Sequence, residues 1–111
     1  MKNTDRVLFK LLEKLPDASE KEICEQLFRD GKISVERITS KGQVSSDGFW
    51  YDEKRNEFVV VLQGQGIVLF DDNREFLLKK GDSLLIKSHQ RHKVIFTDKR
   101  EETLWLAFFW E

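Results

Sequence analysis

Proline, cysteine, methionine and tyrosine each occur only once in 111 residues, and histidine only twice. The single Cys24 excludes an intrachain disulfide and any zinc site built from cysteine alone. Two imidazoles, His89 and His92, limit what a histidine-based site can contain. Neither sign of charge dominates. The 19 basic and 20 acidic side chains leave a formal net charge of -1, so no global field draws in nucleic acid or a membrane surface. No apolar run approaches the ~20 residues that span a bilayer. The opening stretch has Asp5 and Lys10 among its apolar residues and no small-residue cleavage site, so it does not read as a secretion signal. An unpaired cysteine without such a signal fits a reducing cytoplasm. Aromatic residues, by contrast, are plentiful: nine Phe and three Trp beside the one Tyr. With 40% apolar and 35% charged residues, a chain of this length forms one folded domain.

Two regions differ in pattern. In residues 1–31, Ser19 and Glu22 have the spacing of a capping box, and Ile23, Leu27 and Phe28 follow at helical intervals up to Gly31. This predicts a helix near 19–30, part of an N-terminal helical arm packed on the rest, with Cys24 buried on it. Upstream, Val7-Leu8-Phe9 and Leu11-Leu12 suit either a short strand or a helical turn. From residue 32 to 111 the period changes. Short β-branched and apolar runs at Ile33–Ile38, Phe58–Leu62, Ile67–Phe70, Glu75–Leu78, Leu84–Ile86, Lys93–Thr97 and Thr103–Phe109 are separated by turn-forming clusters such as Asp71-Asp72-Asn73. Many short strands at even spacing point to an antiparallel sandwich or barrel. The last run, Leu104–Trp110, is apolar on both faces. It is therefore expected away from any open edge, with a helix or a second subunit over its outer side.

One constellation is more specific. Glu57 is followed after six residues by Gly64; after sixteen intervening residues comes Gly81-Asp82, and His92 lies eleven positions beyond Gly81. In this the sequence resembles the cupin family, whose first motif ends in Glu, six residues, Gly and whose second opens with Gly and places a His eleven residues on. Gly48-Phe49-Trp50-Tyr51-Asp52, His89 with His92, and Trp105-Leu106-Ala107 look like those of small single-domain bacterial cupins. The resemblance implies a mainly β fold, an antiparallel jelly-roll barrel, and a pocket near residues 50–57 and 87–92. It also implies a divalent metal, which the family usually holds with three His and one Glu. Here the upstream His-x-His positions are Trp50 and Asp52, or Tyr51 and Glu53, so that set is incomplete.

A reduced metal set would use Glu57 and His92, with His89 and Asp52 as further donors, for iron, manganese, zinc or nickel. A carboxylate and an imidazole facing a low-dielectric interior can equally shift in pKa and exchange protons. Tyr51 and Trp50 are placed to stack on a planar ligand at the barrel mouth. Arg91, beside Lys87 and Lys93, suits an anionic small molecule. The resulting expectation is a cytoplasmic homodimer that binds a divalent metal, a small anionic metabolite, or both. The alternatives are a metal-free ligand-binding barrel and a dimerising module.

Overall fold

The segment expected to be helical is a strand. The computed structural model describes residues 7–111, and no helix occurs among them. The expected N-terminal arm begins at residue 1, so its first six residues lie outside the described chain. Strand β1 (Ile23–Asp30) pairs antiparallel with β2 (Ile33–Ser40) across the two-residue turn Gly31-Lys32. The expected boundary at 31/32 thus falls inside a hairpin. Along β1, Ile23, Glu25 and Leu27 are half-buried while Cys24 and Gln26 are exposed, the period of a strand. A segment of this length cannot hold a helix by itself, and β2 supplies a hydrogen-bonding partner two residues away. The capping box does not form either: Asp17 Oδ1 accepts a hydrogen bond from the Ser19 N–H at 2.9 Å.

The remaining strands are β3 (Asn56–Gln63), β4 (Gln65–Phe70), β5 (Glu75–Lys79), β6 (Ser83–Ile86), β7 (His92–Thr97) and β8 (Thr103–Trp110). They form a five-stranded sheet in the order β1-β2-β8-β3-β6, packed against a three-stranded sheet in the order β5-β4-β7. All pairings are antiparallel. The apolar strand β8 occupies the centre of the larger sheet, away from both edges as expected. Its inner face carries Trp105, Ala107 and Phe109. These pack with Val59, Val61, Val68, Phe70, Leu78 and Ile86 in one core between the sheets. Full burial of each large apolar side chain contributes about 1.5–3 kcal/mol.

No helix covers the outer face of β8. At the β1–β2 end, the irregular N-terminal segment crosses that face. The Leu11 carbonyl accepts a hydrogen bond from Arg37 Nη1 at 3.0 Å, the Ala18 carbonyl accepts one from Gln43 Nε2 at 2.7 Å, and Phe9 packs on Phe28. Arg37 is also held on the sheet by Glu25, with Nε at 2.8 Å from Oε1.

Two glycines let the chain pack closely against β8. Gly64, between β3 and β4, has φ of 75°, and a Cβ there would stand 2.5 Å from Thr103 Oγ1 and 2.7 Å from Thr103 Cα. Only glycine fits both the conformation and the space. A Cβ at Gly66 would meet the Trp105 indole at 2.6 Å.

Candidate functional site

Glu57 enters at the second position of β3, paired with Ile86 on β6 and Phe109 on β8. Strand alternation puts it on the same inward face as Val59 and Val61, so its carboxyl group points between the sheets. His92 opens β7 opposite Phe70 of β4. A lone antiparallel bridge fixes it from the other side: the Tyr51 N–H donates to the His92 carbonyl at 2.7 Å and the His92 N–H to the Tyr51 carbonyl at 3.1 Å. The Tyr51 ring stacks on the imidazole with centroids 5.3 Å apart. The two groups singled out by the motif therefore converge. His92 Nε2 lies 3.8 Å from Glu57 Oε1, and the side chains are 8% and 12% exposed.

Both groups line a cavity of about 220 Å³ between the sheets. Val59, Val68, Ile86, Trp105 and Phe109 give it apolar walls, and Tyr51 lies toward the opening. Burial is the main reason that the Glu57 carboxyl is pushed up to about 7, with the nearby Glu36 and Glu53 adding to it. Burial holds His92 below its usual value, against the backbone hydrogen bond to Gln90, which favours the proton. His92 Nδ1 lies 2.9 Å from the Gln90 carbonyl, which can only accept, so Nδ1 carries the proton of the neutral ring. Nε2 is left as an acceptor beside Glu57. Burial thus favours the neutral form of both groups.

The other expected metal donors are elsewhere. His89 takes a left-handed turn conformation, φ 60°, and its Nδ1 meets Asp52 Oδ1 at 2.7 Å on the outside. With side chains 65% and 52% exposed, the pair clasps the loop before β3 to the turn before β7. The same clasp includes the His89 N–H on the Glu53 carbonyl and Ser88 Oγ on the Lys54 carbonyl. Trp50 and Arg91 do not line the cavity either. The Arg91 guanidinium and the Lys93 ammonium both lie over the Trp50 ring, at 5.6 and 5.0 Å, and Arg91 reaches toward Asp71. Of the expected site residues, Glu57, His92 and Tyr51 share the cavity.

Sequence reading missed the opposite wall. Glu36, Ile38 and Ser40 of β2 line the cavity, as do Glu22 and Cys24 beside and on β1, and Glu53 and Arg55 in the loop before β3. Cys24 is accessible on the edge strand rather than buried in a helix. Partial desolvation, with Glu22 and Glu36 nearby, pushes its thiol up to about 12, so it stays protonated. Arg55 does not cap Glu57; it grips Glu53 through Nε at 3.1 Å and Nη2 at 3.3 Å and lies over the Phe109 ring at 4.3 Å. Those bonds hold the Glu53 carboxyl below the usual carboxylate range.

A divalent metal would need more donors than this cavity brings together. Among the described residues, no group of three or more His, Cys, Asp or Glu side chains is placed to hold one ion. Glu57 and His92 face each other as two donors, 3.8 Å apart. Structural zinc sites take four protein ligands and catalytic ones three. The donor set does not fit a resident metal.

Comparison with known proteins agrees with this architecture. A search among curated proteins finds no match. The crystal structure of a Ralstonia eutropha protein described as a "putative mannose-6-phosphate isomerase" superposes with a TM-score of 0.91 at 33% identity, covering 96% of this chain and 99% of that one. A cupin 2 conserved barrel domain protein from Leptotrichia buccalis gives a TM-score of 0.76 at 21% identity over 93% of this chain and 47% of that one. A cupin superfamily protein from Desulfitobacterium hafniense gives 0.69 at 16% identity over 95% and 98%. The cupin domain family matches residues 39–109, which include the Glu57–Gly64 motif, Gly81 and His92. With these residues, this order of strands and a closely related fold at one-third identity, the chain belongs to the cupin family.

Proposed function

We infer that this cupin binds a small polar organic molecule in its barrel cavity without a resident metal, and that Glu57 exchanges a proton with that molecule. One observation carries the reading. A carboxyl group raised to about 7 faces a largely apolar cavity 3.8 Å from a neutral imidazole. A group that changes protonation near neutral pH is suited to general acid or base work. Tyr51 holds His92 in place, and the apolar walls keep water from relaxing the Glu57 carboxyl. The ligand contacts expected of Trp50 and Arg91 lie outside this reading, since neither reaches the cavity.

The name of the Ralstonia eutropha relative points to sugar-phosphate chemistry. Proton transfer between adjacent carbons would suit Glu57. The phosphate, however, would need cations, and the one guanidinium on the wall is already tied to Glu53. The same charge balance disfavours the anionic metabolite expected from the basic cluster around Arg91.

The test is a ligand-observed NMR screen of neutral and charged metabolites, repeated on Glu57→Gln and His92→Asn. Binders that weaken in both variants are expected. Absence of any cavity-directed binder would overturn the reading. So would tight, stoichiometric uptake of iron, manganese, zinc or nickel that is lost on substituting Glu57 or His92.

A second reading, the homodimer, draws on the outer face of the larger sheet. Leu85, Phe58, Phe108, Val35 and Phe28 are successive cross-strand partners, so they form one uncharged row across all five strands. The N-terminal segment reaches Phe28, while Phe58 and Leu85 remain 39% and 45% exposed. An uncharged apolar row has no like charges to oppose when it meets its own copy across a two-fold axis. We propose that a second chain covers it.

A further inference from the structure

We propose that the cavity selects a ligand carrying a cationic nitrogen, such as an ammonium or amidinium group on a small apolar body, and that Glu36 and Glu22 provide its counter-charge. This rests on the reading above that the cavity binds a small molecule, and it specifies the class.

Acidic side chains outnumber basic ones around the cavity among the described residues. Glu22, Glu36, Glu53 and Glu57 contribute carboxyl groups, while Arg55 contributes the one guanidinium. Arg55 and Glu53 satisfy each other through two hydrogen bonds. Among the described residues, no lysine or arginine is paired with the remaining three acids, and Glu57 faces His92 at 3.8 Å. Burial is the main cause that raises Glu57 and Tyr51, and the neighbouring acids add to it: Glu36 for Glu57, Glu22 and Glu57 for Tyr51. An anion entering here would meet repulsion in a low-dielectric space. A cation would relieve it.

Hydrogen-bonding capacity is a second, independent observation. The His92 side chain is more than nine-tenths buried. Its Nδ1 is engaged by Gln90, and its Nε2, which faces the cavity, has no hydrogen-bond partner. In the tautomer fixed by Gln90 that atom can only accept. Across the cavity, the carboxylates of Glu36 and Glu22 also accept, and the Cys24 thiol already points to Glu22 at 3.5 Å. Apart from the Ser40 and Tyr51 hydroxyls, which can donate or accept, these wall groups accept, and that suits a donor-rich ligand. Ammonium and amidinium groups bring several N–H donors and no acceptor, while a carboxylate or phosphate brings the reverse.

The rest of the lining defines the other end of the ligand. Trp105, Phe109, Val68 and Ile86 form an apolar floor, and Tyr51 presents an aromatic ring near the opening. Aromatic faces attract a cation at close range and pack against an apolar body further along. About 220 Å³ admits a molecule the size of a substituted benzene ring.

The experiment uses three probes of one shape: benzylammonium, benzyl alcohol and benzoate. Each is titrated into the full chain at pH 7.5 and followed by ¹H–¹⁵N and ¹H–¹³C NMR of the His92 ring and the Trp105 indole. Benzylammonium is expected to bind at least tenfold more tightly than benzyl alcohol, with benzoate weaker still. Glu36→Gln and Glu22→Gln keep the side-chain shape and should each weaken benzylammonium at least threefold, leaving benzyl alcohol unchanged. Unaltered far-UV circular dichroism and amide spectra would show that both variants fold. Benzoate or benzyl alcohol binding as tightly as benzylammonium would overturn the cation preference while leaving the small-molecule cavity standing. So would benzylammonium affinity that ignores both variants. If no probe perturbs either ring, the preference fails together with the reading on which it rests.

Discussion

His92 and Glu57 approach from opposite sheets, so that a ring nitrogen and a carboxyl oxygen stand 3.8 Å apart with most of both side chains out of solvent. That separation exceeds a hydrogen bond. Each group therefore keeps a free valence for a third party, and their protonation is decided chiefly by burial.

Stability should record that burial. The folded-state value of about 7 for Glu57 lies above the ordinary 4.5, so the folded protein binds more protons than the unfolded chain between those limits. Stability from this group therefore falls as pH rises from 4.5 to 7 and levels off above. The difference is on the order of 3 kcal/mol. His92, held below 6.5, acts in the opposite sense: its neutral form is favoured by folding, so stability is lost as pH falls below 6.5. In urea titrations from pH 4.5 to 8, Glu57→Gln should remove the decline and gain most over wild type at the alkaline end. Superimposable curves for the two proteins would contradict the burial of a titrating acid.

The clasp formed by His89 and Asp52 should be separable from the cavity. Both side chains are exposed, and exposed pairs are worth 0–1 kcal/mol. Asp52→Asn with His89→Gln is expected to lower stability by about 1 kcal/mol or less and to leave ligand affinity within twofold of wild type. A loss of binding comparable with that of Glu57→Gln would bring this pair into the site.

Gly64→Ala should be severe. It combines a left-handed backbone with a Cβ placed against Thr103. A non-glycine residue in that conformation costs about 1–2 kcal/mol before any clash, and moving the β8 backbone adds to it. Thermal melting should show a drop of at least several degrees; an unchanged midpoint would mean that Thr103 yields freely.

The outer apolar row predicts self-association. Wild-type protein should run as a dimer in size-exclusion chromatography with light scattering at tens of micromolar, and Phe58→Arg should run as a monomer with unchanged circular dichroism. A wild-type monomer at that concentration would refute the second chain.

Much of the fold was legible because turn chemistry is local. Asp71-Asp72-Asn73 announces the β4–β5 hairpin, with Asn73 at φ 73°. The doubly apolar run Leu104–Trp110 announces a central strand. β1 was misread because Ile23, Leu27 and Phe28 satisfy a helical period, while a bulge at Leu27 disturbs the strand alternation. The resemblance to the cupin motifs singled out Glu57 and His92, and the structure places them and Tyr51 around one cavity. Glu36 was not. In β2 the apolar Val35 lies on the outer face beside Phe28 and Phe108, and Glu36 turns inward. With both faces partly covered, apolar alternation no longer reveals which side looks into the barrel. His89 and Asp52 were drawn toward the site by their place in the chain. Both side chains are exposed, and neither lines the cavity.

Gly66 gives the cavity a hidden dimension. The indole of Trp105 forms part of the chamber's lining and is able to lie where it does because the strand beneath it lacks a side chain. A single methyl group at that position would dislodge the indole and reshape the chamber. The range of molecules that this barrel accommodates is therefore tuned from behind the wall, by a residue that none of those molecules would ever touch.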